Sequence, residues 1–142
     1  MTPLERTVHI VAIQQVIARF YDCLDGGRYE ELVNLMAPDA TWLRRNIVLR
    51  GRDAVRDALR RRPVTITTRQ AVTNLIVDFP DPHRAEASYY LTAFHHDAEA
   101  APTLPVPMDH PLHVARYVAK LTTCESDWLI QDVRGVSTFR RA

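Results

Sequence analysis

The chain is 142 residues long, the size of one ordinary domain. Its 46% hydrophobic and 25% charged content is that of a folded globular protein and excludes a disordered one. Lys+Arg is 18 and Asp+Glu is 17, a formal net charge of +1, which excludes any general attraction to nucleic acid or to an anionic membrane surface.

In chain order, Thr2-Pro3-Leu4-Glu5 reads as a capping box with Pro at the first helical position. Ile10, Ile13, Ile17, Phe20 and Leu24 then recur on one face of a long helix, which Gly26-Gly27 stops. A second, short helix is expected from Arg28 to Met36, with Leu32, Val33 and Met36 inward; Ala37-Pro38 ends it. Thr41 to Leu49 reads as a strand or tight hairpin turning at Arg45-Asn46. Gly51 to Arg62 is a third helix with Ala54, Val55, Ala58 and Leu59 on its apolar face, closed by Pro63.

From there the period falls to two. Thr65 to Phe79 and Arg84 to His96 are expected strands, joined by the turn Pro80-Asp81-Pro82-His83. Asp97 to Pro111 carries four prolines and reads as a loop at the mouth of any pocket. Leu112 to Thr123 and Trp128 to Phe139 complete the strands. Helices gathered at the front and strands joined by short turns give an α+β domain over residues 1–142, its helices on one face of an antiparallel sheet. A curved sheet half-covered by helices leaves a concavity for a ligand.

Other features are negative. The longest apolar runs fall far short of the roughly 20 residues of a membrane span. The first residues include Glu5, Arg6 and His9 and lack the apolar stretch of a signal peptide, so a cytoplasmic location is expected. Cys23 and Cys124 form no disulfide framework and are expected as buried thiols. No phosphate-binding loop, nucleophile elbow or metal-ligand spacing is present; neither cofactor nor metal is expected.

Several segments resemble one family. Tyr21-Asp22-Cys23-Leu24-Asp25-Gly26-Gly27-Arg28-Tyr29-Glu30-Glu31-Leu32 and Met36-Ala37-Pro38-Asp39-Ala40-Thr41-Trp42 are similar to the front half of SnoaL-like proteins. Gly51-Arg52-Asp53-Ala54-Val55 resembles the start of that family's third helix. Thr68-Arg69-Gln70-Ala71-Val72-Thr73-Asn74 resembles its T-R-H-x-x-x-N strand, and Asp127-Trp128-Leu129-Ile130 the opening of its last strand. These proteins belong to the nuclear-transport-factor-2-like superfamily, so the resemblance implies a cone-shaped, cystatin-like fold: three N-terminal helices on a curved, mostly antiparallel sheet. It also implies a small-molecule site, and a homodimer through the outer sheet face. The pattern adds Ala71, Leu75 and Val77 as the apolar side of that interface.

The resemblance to dehydratase-like members singles out an acidic residue at the end of the first helix, here Asp25, as a proton carrier. Burial and the helix dipole would both raise its pKa. The tyrosine of those members matches Phe20, with Tyr21 one residue on. Their strand histidine is replaced by Gln70, which forms hydrogen bonds but carries no proton at neutral pH. Asn74, four residues along the strand, is expected on the same face. His95 and His96 point to opposite faces; matching the strand to scytalone-dehydratase-like proteins favours His96 inward, with Tyr90, Thr92 and Phe94. Counting back from Trp128 puts His113, Ala115 and Tyr117 inward, and Arg116 and Lys120 outward. Where ketosteroid-isomerase-like relatives carry a proton-shuttling carboxylate, this chain has Arg44. Inward, it favours an anionic or carbonyl-bearing ligand; outward, Arg44-Arg45 is a charged turn.

The expected site is therefore Asp25, His96 and Tyr21 as catalytic groups, with Phe20, Trp42, Arg44, Gln70, Asn74, Tyr90, His113 and Tyr117 around the substrate. The expected function is a cofactor-independent lyase or isomerase acting by acid/base chemistry on an apolar cyclic molecule. The alternatives are a non-catalytic binder, which the loss of the strand histidine favours, and a structural subunit of a ring-hydroxylating oxygenase.

Overall fold

The computed structural model describes all residues from 1 to 142. Helix α1 runs Pro3–Gly26, with the capping box at Thr2 and Glu5 formed and Gly27 in the left-handed conformation as C-cap. Its core face is Ile13, Ile17, Phe20, Tyr21 and Leu24, all buried. Each fully buried Ile or Leu of this kind is worth about 1.5–3 kcal/mol. Helix α2 is only Tyr29–Asn34, shorter than the sequence suggests. Met36 instead opens strand β1, Met36–Arg44, because Pro38 pushes the residues before it into extended conformation.

A hairpin joins β1 to β2 (Ile47–Arg50) through Arg45 and Asn46, both at positive φ (52° and 64°), the geometry of a two-residue turn that suits strand twist. Helix α3, Gly51–Arg60, buries Val55 and Leu59. Four long strands follow: β3 Ile66–Asp81, β4 Arg84–Asp97, β5 His113–Cys124 and β6 Asp127–Arg140. The sheet order is β2-β1-β6-β5-β4-β3, antiparallel except for the parallel pair β1–β6. One hydrophobic core of 24 buried residues fills the space between the helices and the inner sheet face. Residues 98–112 between β4 and β5 form no helix or strand.

Two strand phases differ from the sequence reading. In β3 the pairing slips between Thr73 and Ile76, and Asn74 has φ 53°. This is a β-bulge, with Asn in the left-handed region that its short polar side chain tolerates. The bulge changes which residues face inward: Gln70 and Val72 before it, Leu75, Val77 and Phe79 after it. Leu75 and Val77 therefore join the core and are not part of an outer face, while Asn74 is exposed. In β4 the buried residues are Ala85, Ala87, Tyr89, Leu91 and Ala93. The odd-numbered residues thus face inward, bringing His95 with them, and His96 and Tyr90 lie on the other face. β5 has His113, Ala115 and Tyr117 inward, and Arg116 and Lys120 exposed. Cys23 is buried, but Cys124 is exposed where β5 ends. No helix is long and apolar enough to cross a membrane.

Candidate active site

The register of the inner sheet face builds a hollow. Gln70, Ala93, His113 and Arg140 are successive partners across β3, β4, β5 and β6. Thr68 pairs with His95 in the next row. On the other side, Tyr117 pairs with Gly135. Small residues at Ala93 and Gly135 leave room where larger ones would fill the concavity. At Gly135 the need is specific: a Cβ there would sit 2.5 Å from the Tyr117 ring. The result is a cavity of about 370 Å³, within the range of small-molecule sites. Tyr21, Leu24 and Trp42, all buried, form its floor; the Arg45-Asn46 turn, Arg62, Ile66 and Arg140 stand around its rim.

Asp25 lies behind the wall of this cavity and does not line it. Its Oδ2 accepts the backbone N–H of Gln70 (2.9 Å), and its Oδ1 accepts the Thr68 hydroxyl (2.8 Å) and, at 3.5 Å, the Gln70 side-chain amide. Burial raises its pKa, and these three hydrogen bonds oppose the rise. With its oxygens occupied, Asp25 ties the end of α1 to β3 and holds Gln70 and Thr68 in place. Gln70 itself lines the cavity. Arg62 completes the corner. It donates to the Leu24 carbonyl (2.6 Å), the Tyr29 hydroxyl (3.1 Å) and the Thr68 hydroxyl (3.2 Å).

Two histidines line the cavity, His95 and His113. Burial lowers the pKa of both. For His95 burial is the largest cause, the charge of Asp97 opposes it and Arg141, Arg45 and Arg62 add to it; for His113 Arg140 adds to burial. Both imidazoles are therefore neutral at pH 7 and able to accept a proton. His113 Nε2 is buried without any partner in the protein, so a ligand atom or water must satisfy it.

Tyr21 and Tyr117 also line the cavity, but Tyr21 is not free. Its hydroxyl is 2.5 Å from that of Tyr89, and Tyr89 stacks on Tyr117 with centroids 5.8 Å apart. Burial pushes the Tyr21 and Tyr89 hydroxyls up, Tyr89 to a value beyond the ordinary range of a phenol. Both are neutral at neutral pH, one donating to the other. The Tyr117 hydroxyl is likewise raised by burial and remains available to a ligand.

Arg44 points inward. Its guanidinium lies over the Trp42 ring, 5.6 Å from the centroid. Burial, with the charges of Arg45 and Arg62 adding to it, lowers its pKa to about 10, so it stays a cation at neutral pH.

Of the residues expected from the sequence, Trp42, Arg44, Gln70, His113, Tyr117 and Tyr21 meet at this cavity. Phe20 does not: it is fully buried beneath the floor, packed edge-on against Tyr21 and Trp42. Asn74 is carried outward by the bulge, and Tyr90 and His96 by the phase of β4. Asp25 stands one layer back. His95 takes the inward place assigned to His96. Thr68, Arg62 and Arg140 were not singled out as site residues. The proline-rich loop contributes only Leu112 to the lining. Its residues His110 and Pro111 border a separate shallow hollow.

A family model for the SnoaL-like domain matches residues 5–134. Among solved structures, a hexachlorocyclohexane dehydrochlorinase from Novosphingobium barchaimii LL02 superposes with a TM-score of 0.82 at 16% identity, covering 99% of this chain and 93% of that one. A candidate scytalone dehydratase from Novosphingobium aromaticivorans DSM 12444 gives 0.80 at 19% identity, covering 97% and 89%. A protein of unknown function with a cystatin-like fold from Nostoc punctiforme PCC 73102 gives 0.73 at 17% identity, covering 96% and 93%. No curated protein sequence matches. These identities carry the fold alone, while the family match spans nearly the whole chain: the protein belongs to the SnoaL-like family, with the α+β architecture of the nuclear-transport-factor-2-like superfamily.

Proposed function

We propose that the protein is a cofactor-independent lyase or isomerase that moves a proton on a small cyclic substrate bound in the cavity. The observation that carries this reading is the meeting of neutral His95 and His113 with the cation Arg44 in one hollow. His95 takes a proton from a carbon next to an electron-withdrawing group. The electron pair of the broken C–H bond moves into conjugation with that group. The Tyr117 hydroxyl stabilises the charge that develops there, and Arg44 holds the substrate in the cavity. Return of the proton to another carbon completes an isomerisation. Loss of a neighbouring hydroxyl, which leaves as water with the proton, completes a dehydration. Asp25 serves as a positioning residue, through Gln70 and Thr68. The similar dehydrochlorinase and candidate dehydratase support an elimination.

The test is a screen of hydroxylated and unsaturated ring ketones with the wild type, His95→Gln and His96→Gln. Loss of turnover in His95→Gln alone supports the reading. Equal turnover in all three removes His95 from the mechanism. A second reading, a binder without chemistry, is favoured by Gln70 at the place of the family's strand histidine. It expects no turnover by any of the three and unchanged ligand affinity in His95→Gln.

Self-association through the outer sheet face belongs to the same proposal. Ile76, Tyr90, Val136 and Phe139 are large hydrophobic residues left exposed there. A homodimer is expected in sedimentation equilibrium at tens of micromolar. A monomer mass would contradict it.

A further inference from the structure

We propose that the substrate carries a carboxylate or an equivalent anion, which Arg44 binds; the proposal rests on the cavity being the binding site. The lining contains four arginines, Arg44, Arg45, Arg62 and Arg140, and not one Asp or Glu. The whole chain has nearly balanced charge, so this concentration is local. Of the four, only Arg62 is committed to bonds within the protein. Arg44, Arg45 and Arg140 donate no side-chain hydrogen bond and form no ion pair.

Elsewhere Arg28, Arg56, Arg60, Arg84, Arg134 and Arg141 have a carboxylate partner, Arg52 bonds the Met36 carbonyl, and the arginines with no such partner are exposed to water. Arg44 is the one that is substantially buried and still unpaired. A guanidinium withdrawn from water without a counter-ion is costly, and here two further cations press on it. An anion entering the cavity removes that cost and meets a planar fork suited to a carboxylate. The free Tyr117 hydroxyl supplies another donor. Trp42 lies beneath the guanidinium and lines the same cavity. The substrate class is thus a small ring system bearing one acidic group.

The probe is 2-naphthoate, compared with its uncharged counterpart 2-naphthamide. Binding is followed by titration calorimetry at low ionic strength, so no turnover is needed. The wild type is expected to prefer the carboxylate by about ten- to a hundredfold. Arg44→Met keeps the aliphatic stem and removes the charge; because Arg44 makes no bond within the protein, the fold is expected to survive, as circular dichroism will show. In this variant the preference disappears while naphthamide affinity is kept. Arg140→Gln, at the rim, reduces the preference to a smaller extent. The proposal is overturned if wild type binds the amide as tightly as the carboxylate, if naphthoate fails to bind at millimolar concentration, or if Arg44→Met keeps the preference. The acid/base reading fails separately. An anion preference without any reaction leaves a binder of anions, whereas His95-dependent turnover of neutral ketones without an anion preference leaves the enzyme and removes this substrate class.

Discussion

The two ends of α1 use the same kinds of residue to opposite effect. Near its start, His9 accepts a hydrogen bond from the Trp128 indole (3.0 Å) and packs edge-on against Trp128 and near Phe79, with Arg6 over the Phe79 ring at 5.2 Å. Near its finish, Tyr21 and Leu24 floor a cavity in which His113 Nε2 has no partner and Arg44 lies over Trp42 with none either. Histidine, arginine and tryptophan therefore identify neither a site nor a core by themselves. What separates the ends is satisfaction of the buried ring nitrogens: at the start the Trp128 indole N–H finds His9, and at the finish the buried His113 Nε2 finds no partner in the protein.

The sharpest way to break this comparison is to remove a histidine from the cavity. His95→Gln is expected to lower turnover about 10²–10⁴-fold, the range for a positioned acid/base, with no change in thermal midpoint. The pH profile of kcat/KM should rise with pH through a pKa below the usual 6.5 of histidine and then level off. A large fall in stability instead would make His95 a structural residue like His9.

A smaller effect is expected at the other end. Trp128→Phe removes the donor to His9 and some buried volume, and should cost about 1–2 kcal/mol in urea unfolding. Turnover should stay within twofold of wild type. A matching loss of activity would mean the two ends are coupled through α1.

The smallest effect concerns acid. His95 and His113 have pKa values held below the usual 6.5 by burial. A histidine depressed in the folded state stabilises the fold above its unfolded pKa, and that contribution is lost as pH falls through the folded pKa. Asp25, raised above 3.8, has the other sign: its contribution is present at low pH and lost as pH rises through its folded value. The urea midpoint should therefore decline from about pH 6.5 downward, and the decline should be shallower in a His95→Gln, His113→Gln double variant. An unchanged slope would show that neither ring is withheld from water.

Most of the architecture was legible because each element carried its own signal. The capping box at Thr2, the 3.6-residue stripe from Ile10 to Leu24 and the turn at Arg45-Asn46 are local, and they formed as read. Asn74, Tyr90 and His96 were misplaced for one cause, the phase of a strand. In β3 the apolar series changes from even numbers (Val72) to odd ones (Leu75, Val77, Phe79) with Asn74 between them, and that change is itself the mark of a bulge. In β4 the small apolar residues Ala85, Ala87 and Ala93 alternate with Glu86 and Ser88, which already points the odd face inward. The resemblance that favours His96 inward runs against that pattern. The position of Asp25 was not legible at all, because its partners Thr68 and Gln70 come from more than forty residues away. Nor was the lack of any partner for Arg44, which depends on what the segments around the cavity fail to supply.

The place of β6 in the sheet has a kinetic consequence. It is the last strand in chain order, yet it lies in the middle, with β5 on one side and β1 on the other. The β1–β2 hairpin touches the remainder of the sheet through β6 alone, and the Thr41–Asp132 side-chain contact spans 91 positions of chain. During synthesis the hairpin has no neighbour in the rest of the sheet until β6 has left the ribosome. Closing so long a loop is slow. The step that completes the sheet also brings Gly135 beneath Tyr117 and Arg140 beside His113, so ligand binding is acquired only when the final strand docks, and a nascent chain ending before Asp127 has helices and strands but no cavity to offer.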